Sequence, residues 1–135
     1  MKQLRMIEWF FASVFLAISA VLFLPDKTMS PPLFQFHLSL MSEYAWALVF
    51  FIVGALRVAA LITNGRAPRG SPAIRCTMAL ISAVVFATLA AAFIKSGPLG
   101  WWAASVYSVA TVFEFITIYR AIQDVSHAVY IRRTA

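Results

Sequence analysis

The sequence predicts an all-α integral membrane protein, a four-helix bundle with both termini in the cytoplasm, on three observations. First, the chain of 135 residues is 62% hydrophobic and only 12% charged, with a mean hydropathy of +0.85. A soluble domain is about 45–50% apolar and about 25% charged, and so few charges cannot cover the large relative surface of a small globule. Second, the apolar residues fall into four long stretches separated by short polar breaks. Third, the basic residues gather at alternate breaks, as in a chain that crosses a bilayer repeatedly.

Segment one covers about residues 6–24 and is closed by Pro25-Asp26-Lys27. At 1.5 Å per residue its roughly 19 residues reach about 28 Å, close to the hydrocarbon thickness. Lys2 and Arg5 ahead of this run, with Ala17 and Ser19 inside it, also resemble a signal peptide. The apolar run continues through Val21-Leu22-Phe23-Leu24, past that point, which favours a retained anchor. Thr28-Met29-Ser30-Pro31-Pro32 then breaks the chain. Leu33–Met41 has both helical and strand periodicity. An isolated strand would leave its backbone unpaired, so a short interfacial helix or ordered loop is expected there.

Segment two covers about residues 44–63, with Ser42 as cap and Glu43 as complement to the helix dipole. Asn64-Gly65 ends it, followed by a basic loop over residues 66–72. In segment three, residues 73–94, Ala79, Ala83, Ala87 and Ala91 recur every four residues. Small residues let helices approach closely in lipid, so this ridge is expected to be a packing face. Segment four, residues 101–122, carries Ser105, Ser108, Thr111, Glu114 and Thr117 at steps of three. That row drifts by about 60° per step, giving an inclined polar band and not a straight stripe. The tail, residues 123–135, is expected to extend the last helix into the cytoplasm.

With the N-terminus inside, Lys2, Arg5, Arg66, Arg69, Arg75, Arg120, Arg132 and Arg133 are cytoplasmic, and Lys27 and Lys95 are outside. The positive-inside rule selects this orientation. Trp46, Trp101 and Trp102 then fall at the outer interface and Trp9 at the inner one, where indole rings anchor helices. The same distribution accounts for the net charge of +6 without a nucleic-acid partner. The expected partners are the lipid bilayer and either a second copy or another membrane protein.

Two ionisable residues, Arg57 and Glu114, fall deep inside predicted spans. An isolated charge at the bilayer centre costs at least ~2.5–3.5 kcal/mol, so such residues turn inward and find partners. Counting back from Asn64 and Arg120 places both about 10 Å above the inner boundary. Equal depth and opposite sign suggest a buried ion pair. Two alternatives stay open: Glu8 as the partner of Arg57, or Arg57 snorkelling to the inner headgroups. Cys76, the lone cysteine, excludes an intrachain disulfide and reads as apolar filler. His37 and His127 fall on opposite sides of the membrane and cannot share a metal; both read as polar surface residues. No catalytic, metal or cofactor motif is present in the sequence, and no enzyme activity is expected.

The residues Gly54-Ala55-Leu56-Arg57, Ile62-Thr63-Asn64-Gly65-Arg66, Ser71-Pro72 and Ile74-Arg75 resemble a pattern in small uncharacterised multi-pass membrane proteins of tailed bacteriophages and prophages. The resemblance spans about 25 residues around Gly54–Arg75 and implies a phage-type protein of the host inner membrane, without an activity. The leading expectation is a non-enzymatic protein acting by assembly in that membrane, holin-like in its sharpest form. A small transporter or channel subunit using Glu114 and Arg57 is the second, and would need water to reach the carboxylate. An accessory subunit of a larger membrane complex, or a superinfection-exclusion factor, is the third. Phe10, Phe11, Phe50 and Phe51 are expected to face lipid or such a partner.

Overall fold

A computed structural model describes the backbone of residues 2–64 and 71–134 and the side chains of residues 6–63 and 73–123. Lys2, Arg5, Arg66, Arg69, His127, Arg132, Arg133 and the Asn64-Gly65 turn lie outside the described side chains. The described residues form helix α1 (Lys2–Leu22), short helix α2 (Gln35–Leu40), α3 (Glu43–Asn64), α4 (Ser71–Lys95), a 3-10 turn at Pro98–Gly100 and α5 (Trp101–Thr134). All regular structure among them is helical. Glu43–Thr63, Ala73–Lys95 and Pro98–Gln123 are long and apolar enough to cross a membrane. The apolar part of α1, Met6–Leu22, is shorter.

Local chemistry sets the helix ends. α1 stops at Leu22, two residues before the expected end, because Pro25 disfavours helical geometry at Leu24. The Phe23 amide still reaches the Ser19 carbonyl at 3.0 Å, and the Leu24 amide bonds the Val21 carbonyl at 3.2 Å. At the start of α3 the Ser42 hydroxyl accepts the Ala45 amide at 3.2 Å. Glu43 does more than complement the dipole: its Oε1 accepts the amides of Thr28 (2.8 Å) and Met29 (3.1 Å), pinning the α1–α2 connection to α3. Between α4 and α5, a Cβ on Gly100 would strike the Phe93 carbonyl, so only glycine closes this turn.

α1 pairs with α3, α4 pairs with α5, and α3 lies against α4. The core between them is aromatic. Phe86 of α4 stacks on Phe15 of α1 at 4.8 Å and packs near Phe11 (5.5 Å) and Tyr107 of α5 (6.1 Å). Phe50 of α3 joins from the side, 5.7 Å from Phe15. Phe11 and Phe50 are therefore core residues, whereas Phe10 and Phe51 stay exposed. The sequence expectation treated all four alike, because an unbroken apolar run does not show which side faces inward.

The alanine ridge is also only half correct. Ala79 and Ala83 are buried, but Ala87 and Ala91 are exposed. A four-residue step advances about 400°, so each step drifts by about 40° and the upper alanines have turned off the interface. Burial passes to Phe86, Leu89, Ala90 and Phe93. A close approach of two helices lies elsewhere, at Gly54 on α3. A Cβ there would sit 2.9 Å from the Leu16 side chain and 3.2 Å from its backbone nitrogen. Gly54→Ala is expected to push α1 from α3 and cost about 1–3 kcal/mol, read as an earlier unfolding midpoint in mixed micelles. An unchanged midpoint would mean that the α1–α3 contact tolerates a wider spacing.

Candidate functional site

Arg57 projects from α3 into the middle of the helix assembly and is almost fully buried. Its Nη1 donates to Glu114 Oε1 on α5 and to Ser82 Oγ on α4, and its Nη2 faces Glu114 Oε2 at 3.4 Å. The fork-to-fork arrangement is the one in which a guanidinium meets a carboxylate most strongly. Phe11 of α1 lies along it, with its ring centre 5.7 Å from Cζ. Ser82 is spent as well, because its hydroxyl donates to the Met78 carbonyl at 2.9 Å. One arginine thus touches all of the other long helices.

A second pair lies beside the first. Arg75 Nε of α4 donates to Glu8 Oε1 of α1 at 2.7 Å, and both side chains are mostly buried. Glu8, considered above as a partner for Arg57, is engaged by Arg75. The reason is reach: Arg75 enters from the facing helix near the same end of α1, while Glu114 already fills the fork of Arg57. Glu8, Arg57, Arg75 and Thr117 line a cavity of about 20 Å³ between the two pairs, about the space of one water. The two cations and two anions balance, so the cluster is formally neutral.

The polar band of α5 does not continue from this cluster as a path. Thr117 and Thr111 return their hydroxyls to the carbonyls of Phe113 (3.0 Å) and Tyr107 (2.8 Å). Ser105 does the same with Trp101 at 2.9 Å and is exposed, as is Ser108. Such back-bonding satisfies a hydroxyl within its own helix. Only the Glu114–Thr117 end of the inclined row faces the neighbouring helices.

The tryptophans divide. Trp9, Trp101 and Trp102 are exposed, but Trp46 is 2% exposed and is no interfacial anchor. Its Nε1 donates to the His37 carbonyl at 3.0 Å, because α2 folds back over the start of α3 and covers it. His37, expected on the surface, is fully buried between Trp46 and Phe93 of α4. Residue spacing within Leu33–Met41 could not show this, since the burial comes from α4 packing across six residues of helix. Ser82 was legible in principle: it stands seven residues after Arg75, two turns along one face of α4.

No protein-family model, curated protein or solved structure matches this chain.

Proposed function

We propose that this chain is a non-enzymatic, multi-pass protein of the bacterial inner membrane that acts by associating with other proteins or copies of itself in the bilayer. In this reading α1 is a fourth span and both termini are cytoplasmic. At 1.5 Å per residue the 21 residues of α1 reach about 31 Å once its polar first turn is included. Glu8 near that end is compatible with burial because Arg75 neutralises it.

One observation carries the association reading. Only 22% of the apolar window of α5 is buried, against 44% for α3 and for α4. Val106, Val109, Val112, Phe113 and Ile116 leave a long apolar side open, while every charge of the cluster is turned inward and paired. A structural cluster of this kind fixes which helices meet and leaves the outer face for contacts in the membrane. For a transport role, Glu114 would have to exchange its partners for water or solute. Its carboxylate is instead fully buried and bonded to Arg57.

Holin-like permeabilisation is the sharpest form of this proposal, and the phage-protein resemblance supports it. Induced expression is then expected to stop growth abruptly and collapse the membrane potential, read with a potential-sensitive dye. Prolonged high expression with the potential intact would remove the holin form. Co-purification of a distinct membrane protein in mild detergent would then favour the accessory role.

A further inference from the structure

Among the described residues, only His37 has buried side-chain polar atoms without a well-formed hydrogen bond, at Nδ1 and Nε2, and the Leu89 backbone carbonyl is the one polar group that acts on the ring. The ring is enclosed by Phe93 of α4 at 4.3 Å, Phe34 at 5.5 Å and Trp46 of α3 at 6.1 Å. Buried polar groups in native proteins are nearly always satisfied, so an imidazole kept this way asks for a reason. A neutral ring can turn its single N–H toward the Leu89 carbonyl and leaves only its other nitrogen unpaired. An imidazolium would bring a charge and two N–H donors into the same box, which is far less favourable. Aromatic faces attract a cation and the Leu89 backbone offers one acceptor, but the second N–H of an imidazolium would have none.

We propose that α2 is a proton-operated latch, docked on α4 while His37 is neutral and released when the imidazole takes up a proton. The enclosure works against the charged form. Burial pushes His37 below its ordinary value of 6.5, outweighing the opposite pull of the Leu89 backbone. The sign follows from linkage. The docked state binds fewer protons than the free segment, so docking is strongest above 6.5 and weakens as pH falls toward the docked value.

Other ionisable groups near the latch are already engaged. Glu43 of α3 holds the amides of Thr28 and Met29. Lys95 of α4 sits 4.4 Å from the ring centre of Phe36. Tyr107 of α5 stacks on the Phe93 ring at 5.6 Å. None of them hydrogen-bonds the imidazole.

The latch also borders a pocket. Thr28, Met29, Leu33 and Phe34, on the chain leading into α2, form one wall of an apolar cavity of about 390 Å³ between α1, α4 and α5. α2 is only six residues long, and beyond it Met41 is extended, so little helix holds the segment in place. The Trp46 bond to the His37 carbonyl is the polar contact that release would break.

Amide hydrogen exchange of residues 33–41, on the full chain in lipid nanodiscs, tests this. After correction for intrinsic exchange, protection is expected to fall tenfold or more between about pH 7.5 and about pH 5, with its midpoint below the ordinary histidine value. His37→Phe should keep its protection at both values, and Glu43→Gln, which weakens the hold on Thr28 and Met29, should lower protection at both values while keeping the wild-type ratio between them. Protection that ignores pH in the wild type, or that falls equally in His37→Phe, would overturn the latch. Loss of the response in Glu43→Gln would overturn it too, by assigning the trigger to the carboxylate. Should His37→Phe not fold, the imidazole resonance of wild-type His37 must titrate together with the exchange. Separate midpoints would refute the proposal.

Discussion

Glu114→Leu is expected to destabilise the folded chain by about 3–5 kcal/mol, because it strands the buried guanidinium of Arg57 without its carboxylate partner. The expected loss is set less by what the pair contributes than by what remains after one member has gone. Arg57 would keep its bond to Ser82 but lose both carboxylate contacts, and an unpaired charge among apolar helices must be neutralised or expelled. Arg57→Leu is expected to be comparably damaging from the other side. The double replacement, with leucine at both positions, should recover most of the loss, since a buried ion pair is often matched by apolar residues of similar volume. Unfolding of the single and double variants in mixed micelles measures all three values in one cycle. A double variant as unstable as either single one would show that the pair is not the source of the effect. High salt should leave the Arg57–Glu114 pair almost untouched, because screening acts chiefly on exposed charges. The Glu8–Arg75 pair, with 16% of the Arg75 side chain still exposed, should respond more.

This contrast between charge and grease also explains what could be read from the sequence. The apolar stretches declared themselves, since a helix that must sit in hydrocarbon has to be apolar on nearly every side. That same uniformity hid the inward faces. Phe10 and Phe11 are neighbours of equal hydrophobicity, yet one is exposed and the other lies against Phe86. Trp46 fits an interfacial belt by position alone, and only the fold-back of α2 puts it in the core. Arg57 and Glu114 stood out because a charge in such a stretch has few places to go. Their depth along each helix followed from counting residues. Arg75 was less legible, since a basic residue near a helix start also satisfies the positive-inside rule and needs no partner. His37 gave no signal, because its enclosure depends on α4, which is more than thirty residues away in sequence.

Phe86→Ala should be the most damaging of the apolar substitutions, and its size reports on the medium the chain folds in. The ring is 1% exposed and meets Phe11, Phe15 and Tyr107, so its removal opens a cavity where three helices touch. In water such a change costs about 3–5 kcal/mol, part of it lost transfer energy and part the cavity itself. In a bilayer the transfer part largely vanishes, because the unpacked ring would lie among lipid tails as apolar as the core. What remains is the lost dispersion contact around the hole, which the neighbours refill only in part. A cost of about 2–3 kcal/mol is therefore expected in lipid, below the aqueous range. Phe113→Ala and Phe115→Ala, on the exposed side of α5, should cost little in the isolated chain. If either of those matched Phe86→Ala in unfolding measurements on the protein in bicelles, α5 would have to be buried against another chain, and the association face would be located by the same experiment.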